Sequence, residues 1–165
     1  KIKNKKGDLL PSETLKIVIA VICIIFLVYL LVSLYYSLTD EQKRRQAEES
    51  MKSEHGLARE IERINMGGTS PEQGKLIPNP SGWYVLSFTE DKKPNSCLGK
   101  SCVCICENVV LNVFNWQERQ INRCDNKGSC AIVQNLMKFE KIKIGNKGVH
   151  LSIRKINDWV EITKK

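Results

Sequence analysis

The sequence has few of the residues that build enzyme active sites and metal centres. Only two histidines occur in 165 residues. The Gly-x-Ser-x-Gly motif, the phosphate-binding loop and the Cys-x-x-Cys motif are all missing, as are paired carboxylates in a recognisable frame. A catalytic nucleophile needs a base beside it, and a bound phosphate needs a glycine-rich cradle. The sequence therefore predicts a protein that is not an enzyme and that has no cofactor and no metal.

Charge is missing from one long stretch. No charged residue lies between Lys16 and Asp40, where the sequence reads IVIAVICIIFLVYLLVSLYYSL. Roughly 20 consecutive apolar residues span the hydrocarbon core of a bilayer as a helix. The run is apolar all round, which suits lipid or the centre of a large helical assembly. It predicts a transmembrane or filament-core helix over residues 15–38, covered by membrane lipid or, through residues 17–38, by other copies of the chain.

The flanks of this span give its orientation only with the help of the cysteines. The basic residues before the span are Lys1, Lys3, Lys5 and Lys6, and those after it are Lys43, Arg44 and Arg45. Because the positive-inside rule counts basic residues, the two flanks nearly balance. Six of the seven cysteines follow the span, and an even number in a small polar domain favours an oxidising compartment. We expect residues 1–14 to be a cytoplasmic N-terminus and the C-terminal domain to lie outside, at the cell surface.

Residues 39–66 are rich in helix-forming residues and predict an amphipathic helix. Its thin apolar stripe consists of Ala47, Met51, Ala58, Ile61 and Ile64. Two interpretations stay open: a spacer helix lying on its own domain, or a helix that packs on copies of itself through residues 40–65. Thr39 with Gln42 matches a capping box, so the helix either breaks there or runs on. Gly56 is a weak point, and Gly67 with Gly68 ends the helix.

Residues 67–82 predict a linker, because they are rich in glycine, proline and polar residues. Residues 83–165 predict a small extracellular antiparallel β domain, a sandwich or barrel, with at most a short helix around WQERQI. Its predicted strands are WYVLSFT, VVLNVF, FEKIKI and a C-terminal hairpin of VHLSIRKI and WVEIT that turns at Asn157 and Asp158. The fold class is therefore α+β: a long N-terminal helix followed by a disulfide-stapled antiparallel domain.

Side-chain alternation assigns faces to the clearest of these strands. Tyr84, Leu86 and Phe88 share one face, opposite Trp83 and Val85. In the hairpin, the inward residues are Val149, Leu151, Ile153, Val160 and Ile162.

Four of the cysteines fall within ten residues, in CLGKSCVCIC at 97–106. This spacing lacks the paired knuckles of zinc sites and the spacing of iron–sulfur sites. In a strand, Cys102, Cys104 and Cys106 point to one face, and neighbours along that face are about 7 Å apart, too far to bond each other. We expect each to pair with one cysteine from a loop of the domain, and the candidates are Cys97, Cys124 and Cys130. Fifteen connectivities are possible for six cysteines.

The C-terminal half is basic, since residues 76–165 hold 14 lysines and arginines against 8 acidic residues. The lysines at 138, 141, 143 and 147 can bind an anionic cell-surface glycan. The alternative is a solvated strand edge that the lysines protect against pairing with other strands. No specific nucleic acid is expected as a partner.

Residues 5–9, KKGDL, stand before a short polar segment and the long apolar helix. This layout resembles the class III signal of archaeal type IV pilins and related surface proteins. The resemblance implies a peptidase that cuts between Gly7 and Asp8, after the basic pair Lys5 and Lys6. Bacterial pilins carry a glutamate shortly after the cut, whereas Ser12 and then Glu13 stand here.

The resemblance extends to the plan of the whole chain, an apolar then amphipathic helix followed by a β domain. It implies a structural cell-surface subunit, an oligomer of identical chains that forms an extracellular filament for attachment or adhesion. The alternative is a single-pass anchored binding or adhesion protein that forms no filaments.

Overall fold

The computed structural model describes residues 9–109 and 116–165. Internal contacts divide the chain after Thr39 into two units, residues 1–39 and 40–165. Helix α1 (Leu9–Lys52) begins in the first unit and ends in the second. The predicted cleavage residues Gly7 and Asp8 lie outside the described residues.

Helix α1 continues through Thr39, where the sequence left a break open. The Thr39 hydroxyl donates a hydrogen bond of 2.9 Å to the carbonyl oxygen of Tyr35, one turn earlier. A threonine that bonds back to the preceding turn is compatible with a continuing helix, whereas an N-cap would bond forward. Thr39 is therefore a residue within the helix.

The chain does break at Gly56, the predicted weak point. Helix α1 ends at Lys52, and helix α2 (Leu57–Asn65) begins after a turn. A Cβ atom at Gly56 would lie 2.5 Å from the backbone oxygen of Met51. Only glycine fits this close approach of two backbone segments. Helix α2 ends where predicted, with Gly67 and Gly68 donating to the carbonyl oxygens of Ile64 and Arg63.

The apolar stripe of these two helices is buried in the core of the chain's own domain. Ala47 and Met51 of α1 have no exposed surface, Ile61 and Ile64 of α2 are buried together with Leu57, and Ala58 packs half-buried against the same core. Of the two open interpretations, the structure therefore matches the helix that lies on its own domain.

In the described part of the chain, seven strands form two antiparallel sheets. The strands are β1 (Lys75–Ile77), β2 (Tyr84–Phe88), β3 (Cys102–Cys106), β4 (Ser129–Ile132), β5 (Ile142–Lys143), β6 (Val149–Ile156) and β7 (Trp159–Lys164). One sheet has the order β1-β6-β7 and the other the order β4-β3-β2-β5. The prediction of an α+β chain with a small antiparallel domain is confirmed.

Two predicted segments differ from the structure. Residues 67–82, predicted as a linker, contain β1, which pairs with β6 through Lys75–Leu151, Leu76–His150 and Ile77–Val149. The segment is rich in glycine and proline. The three residues of β1 are too few to produce a recognisable alternation of apolar and polar residues in such a sequence. Of FEKIKI, only Ile142 and Lys143 form a strand, and most of VVLNVF lies outside the described residues.

The C-terminal hairpin is present as predicted. Strands β6 and β7 pair from Leu151–Lys164 to Ile156–Trp159. Asn157 and Asp158 between them have φ of 55° and 83°, the left-handed conformations that a two-residue type I′ hairpin turn requires. All five residues predicted to face inward are buried.

The four-stranded sheet lies between two buried clusters. The larger cluster combines side chains from both sheets with those of α1 and α2, and it includes Val103 and Ile105 of β3. The smaller cluster contains Cys102, Cys104 and Cys106 of the same strand together with Leu86. Helix α3 (Trp116–Lys127) contributes Cys124 to the smaller cluster. This is the helix predicted around WQERQI, and its 12 residues make about three turns.

Candidate functional site

The apolar segment of α1 is the first feature that needs a partner. Its large hydrophobic side chains from Leu15 to Leu38 are 39–70 % exposed in the single chain. By length and composition this helix can cross a membrane. Tyr35 and Tyr36 are near its end, with ring centroids 5.9 Å apart, at the level where aromatic rings suit a membrane–water interface.

The second feature is the cluster of cysteines on β3. Three disulfide bonds are present: Cys97–Cys102, Cys104–Cys130 and Cys106–Cys124. Each strand cysteine is bonded to one cysteine outside the strand. The three partners do not lie in loops, since Cys97 ends a 3-10 turn (Asn95–Cys97), Cys124 is on α3 and Cys130 is on β4.

Each bond joins β3 to a different neighbour. Cys104 and Cys130 are directly opposite each other on paired strands, with 4.0 Å between their Cα atoms. The bond from Cys106 fastens α3 to the end of the strand, and the bond from Cys97 closes the turn that precedes it. Only Cys130 is partly exposed, and the other five cysteines are buried.

A glycine lets α3 approach β3 closely. Gly128 follows the helix, and a Cβ atom at this position would lie 2.7 Å from Cβ of Cys106 and 2.7 Å from the oxygen of Cys124. A larger residue would push the helix away from the strand that the Cys106–Cys124 bond joins to it. Gly128 and this bond therefore fix the helix on the sheet together.

Gln120 on α3 is a buried polar residue, only 2 % exposed. Its side-chain oxygen accepts a hydrogen bond of 2.9 Å from the backbone N–H of Val109, and its nitrogen donates one of 2.9 Å to the carbonyl oxygen of Glu107. The same nitrogen lies 3.5 Å from the sulfur of Cys124. Buried backbone groups need such partners, so Gln120 holds the chain where it leaves β3.

Asp125 on α3 binds the 3-10 turn that carries Cys97. Its carboxylate accepts hydrogen bonds from the backbone N–H groups of Asn95 and Ser96, at 2.8 and 3.0 Å, and from the Ser96 hydroxyl at 2.9 Å. Partial burial raises the pKa of Asp125, but these bonds together outweigh it, so the pKa lies below its ordinary value. A charged Asp125 thus fixes the turn that carries Cys97.

The sulfur atoms of Cys97, Cys102 and Cys104 all lie within 4.8 Å of one another, a spacing that could hold a metal ion. Each of them is already in a disulfide bond. Metal ligation requires a thiolate, so in this oxidised state the three sulfurs act as structural crosslinks.

The four lysines considered as a glycan site have different surroundings. Lys138 forms an ion pair with Glu90, and the hydrogen bond from Lys138 lowers the pKa of Glu90. The ammonium group of Lys141 lies 5.8 Å from the ring centre of Tyr84. Lys143 and Lys147 are exposed.

The chain matches no protein-family model, no curated protein and no solved structure. The function therefore has to be argued from the residues and their geometry. Gln120, Gly128 and Asp125 were not singled out from the sequence, because their partners are backbone groups that only the folded chain brings near.

Proposed function

We propose that this chain is a structural cell-surface subunit of the type IV pilin-like kind. Residues 17–38 of α1 pack with those of other copies in a filament core, and the domain of residues 40–165 faces outward for attachment or adhesion. The observation that carries the proposal is the exposure of the apolar side chains all along this segment in the single chain. Burying one such side chain is worth about 1.5–3 kcal/mol, so the segment requires a cover.

The C-terminal end of α1 supports the same plan. Helix α1 ends inside the core of residues 40–165, to which it contributes Ala47 and Met51. The burial of these two residues leaves the apolar run at 17–38 as the part of α1 that needs cover from outside the chain.

The disulfide bonds support an outward orientation. Structural disulfides form and persist in oxidising compartments and are rare in the cytosol. In intact cells, a membrane-impermeant amine reagent should label lysines of residues 40–165. Labelling that requires disruption of the membrane would reverse the orientation.

A single-pass anchored binding protein is the second candidate function. The observation that favours it is the even exposure of residues 17–38 on all sides of the helix, which suits contact with lipid as well as contact with helices. The two functions differ in what surrounds this segment in the finished assembly.

Cys23 allows the two candidates to be separated. It is the one free cysteine among the described residues, it is exposed, and it lies in the middle of the apolar segment. A short bismaleimide applied to intact cells should give covalent dimers, the largest product that one free thiol per chain allows. Negative-stain images of the same cells should show filaments that contain the chain.

The variant Cys23→Ser is the matched control, because it removes the thiol and leaves the helix apolar in character. It should form filaments but no dimers. Absence of both filaments and dimers in the parent chain would contradict the filament and support the anchored protein. Dimers without filaments would contradict the filament as well.

A further inference from the structure

A groove opens where the edges of the two sheets meet, between β5 and β7. Strand β5 is the last strand of the four-stranded sheet and β7 the last of the other sheet. The groove encloses about 390 Å³. Residues 135–137 bond to β7 at Val160, near the start of the strand. The groove is lined by Ile162, Thr163 and Lys164, further along the same strand.

Three lysines line this groove, Lys141 and Lys143 from one sheet edge and Lys164 from the other. All three are exposed, and none of them takes part in an ion pair of the described residues. Glu140 is the one acidic residue among the lining residues. Lys92, Lys127 and Lys138, by contrast, each face a carboxylate. The groove therefore holds an excess of positive charge.

The floor of the groove is apolar. Its accessible apolar surface comes from the half-buried Phe139, while Ile142 and Ile162 are buried beneath it. Lys141 is held near its rim through the ring of Tyr84, within the range of a cation–π contact. An apolar floor with cations on both sides matches a ligand with ring faces of C–H groups and anionic groups along its edges.

We propose that the groove between β5 and β7 binds a linear acidic polysaccharide, with Lys141, Lys143 and Lys164 facing its carboxylate or sulfate groups. Single-stranded nucleic acid fits less well, because its binding relies on successive bases stacked on exposed aromatic rings, whereas the aromatic lining residue, Phe139, is half-buried and packs against the core. A bilayer fits less well because the site is concave. The proposal rests on the proposed function only in requiring that the domain face outward.

The test uses the full chain in detergent and a fluorescent heparin oligosaccharide as the probe. The groove variant carries Lys141→Gln, Lys143→Gln and Lys164→Gln. The control variant carries Arg44→Gln, Lys100→Gln and Arg119→Gln, which remove the same charge at exposed positions that, like the groove lysines, form no ion pair among the described residues. The groove variant should lose affinity by about tenfold or more, since a cluster of like charge concentrates counter-ions by such factors. The control should change it less than about threefold, and both variants should unfold at the temperature of the parent chain, because the substituted side chains lie at the surface.

Three results would overturn the proposal: no binding by the parent chain, equal losses in the two variants, or tighter groove-dependent binding to single-stranded DNA or to anionic lipid vesicles. None of these results bears on filament formation, which the Cys23 experiment measures separately. Failure of one proposal is therefore distinguishable from failure of the other.

Discussion

The two faces of strand β3 are stabilised in different ways. Val103 and Ile105 point into a cluster built from both sheets and from α1 and α2. Cys102, Cys104 and Cys106 point to the opposite face, where the neighbours come mainly from α3, β2 and the turn at 95–97. The first face, the apolar face, is thus covered by apolar groups from the whole domain. The second, the cystine face, is crosslinked to a few adjacent elements.

The amount of apolar material available explains the difference. Among the described residues, the cystine face has one buried aliphatic residue, Leu86, with Tyr84 and Phe88 only partly buried against it. A small domain buries a limited part of its surface, and disulfide bonds are the usual supplement. Within the described part of the chain, the apolar core therefore lies mainly on one face of β3, and covalent bonds supplement the smaller cluster on the other face.

The largest effect is expected on the apolar face. Replacing Ile105 with alanine should lower the free energy of unfolding by about 2–5 kcal/mol, because it leaves a cavity in a fully buried site. The graded variant Ile105→Val should cost only about 0.5–1.5 kcal/mol. Denaturant unfolding of the full chain in detergent measures both, with the buried Trp83 as a fluorescent reporter. Equal effects of the two variants would show that this face is not closely packed.

On the cystine face, the cost of removing a bond should follow the length of the loop it closes. Chain entropy predicts a loss of about 3.6 kcal/mol for Cys104→Ala with Cys130→Ala, whose positions are 26 residues apart. It predicts about 2.2 kcal/mol for Cys97→Ala with Cys102→Ala, which are 5 residues apart. The reverse order would show that native contacts, and not the unfolded chain, decide the effect.

Thiol counting is the control for this comparison. Under denaturing conditions without a reductant, the parent chain should show one reactive thiol, Cys23, and each double variant should also show one. Two further thiols in a variant would mean that one of the two remaining disulfide bonds had not formed.

The sequence predicted which strand residues share a face, but it did not predict which elements each face contacts. Alternation along the strands was sufficient to place Val85 and Leu86 on opposite sides, because a strand has a period of two. The apolar run up to Leu38 was equally clear, since length and lack of charge define it. Both features depend only on residues close together in the chain.

Features that depend on distant residues were not predictable in the same way. The pairing of each cysteine needed the positions of Cys97, Cys124 and Cys130 in space, and fifteen connectivities were open. The place of β1 depended on β6, which lies about 70 residues later in the chain. The groove at Lys164 depends on two sheet edges meeting, which no local pattern encodes.

Gln120 tests how far hydrogen bonds, besides crosslinks, hold the cystine face. The variant Gln120→Met removes both hydrogen bonds at similar size and adds no charge. It should cost about 1–3 kcal/mol, the penalty for leaving buried polar groups without their partners. If the variant unfolds like the parent chain, the crosslinks alone fix the chain where it leaves β3.

The smallest expected effect concerns Asp125 and depends on pH. The pKa of Asp125 is lower in the folded chain than in the unfolded chain. Its contribution to the free energy of unfolding is therefore complete above the ordinary aspartate pKa, and it is lost as pH falls through the lowered value. Asp125→Asn should therefore cost about 1 kcal/mol at neutral pH, the usual worth of such a cap, and little at the acidic end of the curve. Stability curves from pH 7 downward for both chains measure the difference between them.

Glu90→Gln is the matched control, since the hydrogen bond from Lys138 also lowers the pKa of Glu90 but at a fully exposed position. Salt screens an exposed pair strongly, so the effect of Glu90→Gln should vanish in high salt while that of Asp125→Asn persists. Asp125 bonds to backbone N–H groups of a crosslinked turn, which stay in place at any ionic strength. If high salt removes the destabilising effect of both substitutions, general surface charge stabilises the turn, and the hydrogen bonds from its backbone to Asp125 do not.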